Sequence, residues 1–277
     1  MTVHPTRRHE GFVSVGDAEL FFVQEGSGPD VVLIAGLSDP AEAWEPQLQG
    51  LSDRYRVTAF DNRGAGRSPM PADGFTVMDM ADDTAALVRG LGLGAVHIAG
   101  FSGGSITAQH LAHRHPELVR SLVLQSTWAV LDEYVATMVR ALRWVLEAAP
   151  SEREALEAFF LWVYTPRSHN DGTVSQIIEE ALAFPHPQSP EGFNRQLDAW
   201  TVHDSRPWLA TIDVPTLVLA GEVDAMTRPQ LGRQVADAIP GATFRVLAGE
   251  AHQPFQEDPE TWNRIVDDFW TSIEGGH

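Results

Sequence analysis

Ser102 stands in Gly100-Phe101-Ser102-Gly103-Gly104, a G-x-S-x-G pentapeptide whose flanks decide what the serine can do. Before it, Ala95-Val96-His97-Ile98-Ala99 is short, mostly apolar and rich in strand formers. After it, Ile106, Gln109, His110, Leu111 and Ala112 recur at helical spacing between Ser105 and His115. A strand that turns sharply into a helix holds a hydroxyl at its tip, and the glycines at 100, 103 and 104 permit the close approach and strained backbone this requires. A serine hydroxyl is a poor nucleophile at neutral pH, so it needs a base within hydrogen-bond reach and a third group to orient that base. His252, in Gly249-Glu250-Ala251-His252, is the candidate base, and Asp224, in Gly221-Glu222-Val223-Asp224, the candidate acid; each follows an expected strand. Glu222 and Asp132 are rival carboxylates, the latter because it follows the preceding strand. For a developing oxyanion, the Gly103 N–H directly after the serine is one candidate donor. The Leu37 N–H, aimed by Gly36, is the other.

These residues can meet only if the right elements carry them to one edge of a sheet. Residues 11–16 and 19–25 read as an antiparallel hairpin turning at Gly16-Asp17. Apolar runs at 31–35, 56–60, 95–99, 121–125, 216–220 and 243–247 read as buried strands. Helical patterns at 43–51, 77–91, 105–115, 229–239 and 259–273 alternate with them. The spacing predicts a mostly parallel eight-stranded sheet covered by helices on both faces, with right-handed crossovers. Residues 128–206 break the alternation with four helical stretches, 130–149, 151–164, 173–184 and 190–201, punctuated by prolines. Core 1–127 and 207–277 with a helical lid 128–206 after the sixth strand is the expected organisation. An insertion so placed lies over the carboxyl ends of the strands, where ligands bind in such sheets.

The chain has 277 residues and 38 acidic against 19 basic side chains, a net charge of −19 that opposes attraction to nucleic acid or an anionic membrane. Cysteine is absent, which removes thiol chemistry and disulfides. The first ten residues have no apolar core of a signal peptide, and no stretch approaches a membrane span. A soluble cytoplasmic protein is expected, with a homodimer as an open possibility.

The motifs together resemble the α/β-hydrolase superfamily along essentially the whole chain. Phe60-Asp61-Asn62-Arg63-Gly64-Ala65-Gly66-Arg67-Ser68 is similar to its D-x-R-G-x-G-x-S loop, residues 214–224 to its acid-bearing strand, and Gly249 to His252 with Glu257-Asp258-Pro259 to its histidine loop. Within it, the chain resembles the small esterases and lactonases grouped with 3-oxoadipate enol-lactonase. Two departures stand out. Ala35-Gly36 replaces the usual His-Gly, and Gly103 stands where many relatives carry a longer side chain, which predicts extra room beside the oxyanion donors. Ser102 argues against the dehalogenases and epoxide hydrolases of this fold, which place an aspartate there.

His110, His113 and His115 crowd one helix, but no H-E-x-x-H accompanies them, so neither a metal nor a cofactor is expected. Arg63 and Arg67 are read as braces of their loop, with a substrate carboxylate as the alternative partner. The aromatics of 128–206 favour an apolar or aromatic small molecule, with Gly36, Phe101 and Trp128 expected beside it. The leading expectation is a serine hydrolase of carboxylic esters or lactones. A carbon–carbon hydrolase or a polyketide-type releasing and cyclising enzyme with the same triad is the second reading, and a small-molecule receptor with little turnover the third.

Overall fold

The computed structural model describes residues 8–16 and 18–275; Asp17 of the expected hairpin turn, residues 1–7 and residues 276–277 lie outside the described residues. Strands β1 (His9–Ser14) and β2 (Glu19–Gly26) form the antiparallel hairpin, followed by β3 (Asp30–Ile34), α1 (Glu45–Leu51), β4 (Arg56–Phe60) and α2 (Val77–Gly90). The centre is β5 (Val96–Phe101), α3 (Gly103–Arg114) and β6 (Val119–Gln125). Then come α4 (Glu133–Ala148), α5 (Glu152–Val163), α6 (Pro166–Asn170), α7 (Thr173–Ala183) and α8 (Pro190–Thr201) without an intervening strand. β7 (Thr216–Gly221), α9 (Pro229–Ala238), β8 (Thr243–Leu247), α10 (Pro254–Glu257) and α11 (Pro259–Glu274) complete the chain.

The sheet has eight strands in the order β1-β2-β4-β3-β5-β6-β7-β8, parallel from β4 onward. Alternation along each strand feeds two cores. In β3, Val32 and Ile34 pack with α2, α3 and α9, whereas Val31 and Leu33 pack on the opposite face with Trp44, Leu48, Trp262 and Trp270 of the α1 and α11 side. Both faces are therefore covered, and only strand ends and loops can present chemistry.

Local chemistry explains where the boundaries depart from the pattern. Thr76 and Asp79 cap each other to start α2. The helix expected from residue 130 begins only at Glu133, because the Asp132 side chain accepts from Val135 N and serves as its N-cap. The helix expected from residue 43 opens as a 3₁₀ turn, Ala41–Trp44, before α1. α6 and α10, of five and four residues, are too short to show a period, and both start at proline.

The excursion between β6 and β7 closes on itself: Val130 bridges Asp204, and Ser205 N donates to Ala129 O at 2.9 Å. Just inside that closure His203 meets His110 of α3, Nδ1 to Nε2 at 3.0 Å, with Trp208 edge-on to the His110 ring. One ring must donate and the other accept, so the pair requires neutral imidazole. Burial pushes His110 down to about 4 and His203 to about 3 from an ordinary 6.5. In the unfolded chain both take up protons near 6.5, before the folded protein does, so stability falls as pH drops from 6.5 toward 4. A melting temperature measured from pH 7.5 to 5 is expected to decline, and His203→Gln is expected to flatten that decline.

Candidate active site

At the end of β5 the backbone turns at Ser102, with φ 51° and ψ −121°, a conformation that costs a non-glycine residue about 1–3 kcal/mol. The turn is held because Ser102 N donates to Gln125 O of β6 at 2.9 Å and its carbonyl accepts from Ser105 N. α3 presses so near β3 that a Cβ on Gly104 would stand 2.2 Å from Ile34 O. The hydroxyl is thereby fixed at the tip of the turn.

His252 reaches it from the loop after β8, with Nε2 3.1 Å from Ser102 Oγ. On the other side Nδ1 lies 2.8 Å from Asp224 Oδ2. A carboxylate only accepts, so Nδ1 carries the proton and Nε2 is left to accept from the serine. Asp224 is itself fixed: Met226 N and Thr227 N each donate to Oδ1 at 2.8 Å, and Thr227 Oγ1 donates to Oδ2 at 2.8 Å. The ring edge of His252 packs on Phe101, centroids 4.9 Å apart, and its backbone is tied by Ser126 Oγ on the carbonyl and Val163 O on the amide. His252 and Asp224 are each 3% exposed, so their mutual attraction is little screened.

The rival carboxylates are engaged elsewhere. Asp132 caps α4 and pairs with Arg228, and Glu222 accepts from Gly249 N. Arg63 is buried against Asp83 in a bidentate pair, and Arg67 pairs with Glu42 and Asp61 between the rings of Phe21 and Phe184. Both brace the loop. The three histidines, two in α3 and His115 just past its end, go separate ways: His110 to His203, His113 to Thr211, His115 to Asp82.

Ser102 and His252 open onto a cavity of about 1140 Å³ lined by the loop after β3 and by helices of the excursion. Leu37, Phe101, Gly103 and Trp128 line it, whereas Gly36 stands behind, where a Cβ would come within 2.9 Å of the Phe101 ring. Gly36 thus leaves room for the Phe101 ring, which meets His252 at an interplanar angle of 62°. Gly103 is the first residue of α3, so its N–H has no carbonyl one turn earlier and is free for a ligand.

The extra room expected at Gly103 is not there. The indole of Trp200, from α8, occupies it: a Cβ on Gly103 would lie 2.3 Å from the ring. Trp200 is 2% exposed and donates from Nε1 to Thr107 Oγ1 at 3.3 Å. Nothing local to Gly103 encodes this, because the partner lies far along the chain. Thr227 is the other residue missed; its spacing three after Asp224 is that of a side-chain-to-backbone turn and could have signalled it.

The family model for the alpha/beta hydrolase fold matches residues 29–259. The chain belongs to the α/β-hydrolase family. This family member is 30% identical over 259 residues to "Putative carbamate hydrolase RutD" of Azorhizobium caulinodans, spanning 94% of this chain and 97% of the relative. It is 33% identical over 261 residues to "Putative non-heme bromoperoxidase BpoC" of Mycobacterium tuberculosis, spanning 92% and 98%. The solved enol-lactonase from Burkholderia xenovorans LB400 superposes with a TM-score of 0.83 at 26% identity, over 94% of this α/β-hydrolase and all of that chain. Among the described residues no helix is long and apolar enough to cross a membrane.

Packing of Trp200 on Gly103 gives a direct test of the site's geometry. Gly103→Leu is expected to slow labelling of Ser102 by a fluorophosphonate by about tenfold or more, a barrier of about 1.4 kcal/mol. Adding Trp200→Ala to that variant should restore a large part of the rate.

Proposed function

We propose that the protein is a serine hydrolase that cleaves a carboxylic ester or lactone of an apolar or aromatic small molecule through an acyl-enzyme on Ser102. The observation that carries this reading is the unbroken hydrogen-bond chain from Asp224 through His252 to Ser102 at the floor of a large, mostly apolar cavity. Ser102 Oγ attacks the carbonyl carbon as His252 Nε2 takes its proton. Asp224 stabilises the imidazolium that forms and keeps the ring oriented. The N–H groups of Gly103 and Leu37 receive the oxyanion; that of Gly103 adds the positive end of the α3 dipole. As the tetrahedral intermediate collapses, the imidazolium gives its proton to the leaving alkoxide, and water then attacks the acyl-enzyme with His252 again as base.

Residues 128–206 act as a lid in this scheme, walling the cavity with Trp128, Leu142, Phe160 and Trp200 so that an apolar acyl or alcohol group is held out of water. The relative named as a carbamate hydrolase supports attack on an acyl carbon and adds carbamates to the substrates worth testing.

A panel of aryl esters, alkyl esters, lactones and carbamates decides the matter. Ser102→Ala and His252→Ala are expected to lower kcat on every accepted substrate by about 10⁶-fold, and Asp224→Asn by about 10⁴-fold, with KM nearly unchanged. Turnover of an ester that survives Ser102→Ala would overturn the reading.

A further inference from the structure

One ionisable group in the cavity takes no part in that scheme. Asp39 lies two residues beyond Leu37, on the same loop, and its side chain lines the cavity. Gln253, the residue after His252, donates from Nε2 to Asp39 Oδ2 at 3.1 Å, so the carboxyl is anchored beside the catalytic base. Among the described residues no donor reaches the other oxygen, Oδ1. Burial pushes this carboxyl up to about 7, against the favourable influence of Gln253 and His252. Asp39 is half-buried, and above pH 7, where it is ionised, an oxygen that no protein donor reaches gains from a ligand that supplies one.

The charge along the rest of the wall has the same sign. Glu147, Glu152 and Glu180 also line the cavity, as do Glu42 and Glu45, which are paired with Arg67 and Arg8; Arg143, the arginine among the lining residues, is paired with Asp198. A carboxylate on the substrate beside Ser102 would meet repulsion from Asp39. A hydroxyl or ammonium would meet an acceptor.

We propose that Asp39 makes this hydrolase selective for esters or lactones carrying a hydrogen-bond donor, a hydroxyl or protonated amine, near the scissile carbonyl, and makes it reject those carrying a carboxylate there. The inference rests on Ser102 acting as the acyl-accepting nucleophile. Donor-bearing substrates bind with their hydroxyl or ammonium on Oδ1, which seats the carbonyl over Ser102. An analogue that lacks the donor leaves the carboxyl desolvated and unpaired, the situation in which sites of this kind discriminate most strongly.

The test uses four small esters: ethyl butanoate, ethyl 3-hydroxybutanoate, ethyl 3-aminobutanoate and monoethyl succinate. For the wild-type protein, kcat/KM for a donor-bearing ester is expected to exceed that for ethyl butanoate by about tenfold or more, and monoethyl succinate to fall below it by a similar factor. Which donor ester leads identifies the hydroxyl or the ammonium as the natural group. Asp39→Leu is expected to bring the donor esters down to the level of ethyl butanoate, and Asp39→Asn to raise monoethyl succinate relative to it. A wild-type ranking with monoethyl succinate at or above both donor esters overturns the proposal, whether or not the variants fold. So do variant ratios within about twofold of wild type. Loss of all ester turnover together with no fluorophosphonate labelling of Ser102 would instead overturn the hydrolase reading beneath it.

Discussion

The hydrogen bond between His252 Nδ1 and Asp224 Oδ2, 2.8 Å long and closed to solvent, sets the geometry on which the rest of the site depends. It selects the tautomer whose Nε2 can accept from Ser102, and it holds a ring that would otherwise be free to rotate in its loop. The bond itself depends on Asp224 keeping one orientation, which two backbone amides and the Thr227 hydroxyl enforce. Four donors around one carboxylate fix its orientation, so the imidazole inherits its position from the loop after β7.

Further restraints on His252 come from the helical excursion. Val163 O at the end of α5 accepts its amide proton at 3.0 Å. Glu257 then ties the same loop to the start of α6. Its Oε1 accepts from Thr165 N, Thr165 Oγ1 and Ser168 Oγ at 2.7–2.8 Å, and Oε2 from Ala251 N. Arg167 adds a bidentate pair with Glu250, one residue before Ala251. Helices that look like a cover thus supply part of the frame for the base. Trp200 does the same on the other side of Ser102 by packing on Gly103, so the excursion touches both His252 and Gly103.

This division explains what the sequence made legible. Ser102, His252 and Asp224 could be found because each sits in a short motif at the end of a strand, and strand order in a parallel sheet brings such ends to one edge. The two-sided core was legible for the same reason: runs such as Val31 to Ile34 are apolar at successive positions because both faces are covered. What stayed hidden depends on contacts between distant segments. Gly103 reads as open space until Trp200 is placed, and nothing beside Gly36 in the chain tells that the Phe101 ring packs against it. The short helices α6 and α10 have too few residues for a period, yet α6 is where Glu257 anchors the histidine loop.

The same physics separates chemistry from selectivity in this fold. Attack, proton transfer and oxyanion binding require groups at fixed positions relative to one another, which strand ends and the α3 N-terminus provide whatever occupies the cavity. The cavity walls come from the excursion and from the loop after β3, where Leu37 and Asp39 stand two residues apart with opposite characters. Relatives at 30% and 33% identity named as a carbamate hydrolase and a non-heme bromoperoxidase are what such a division allows. The donors and base can stay in register while the wall chemistry drifts. In this chain the wall is apolar and acidic.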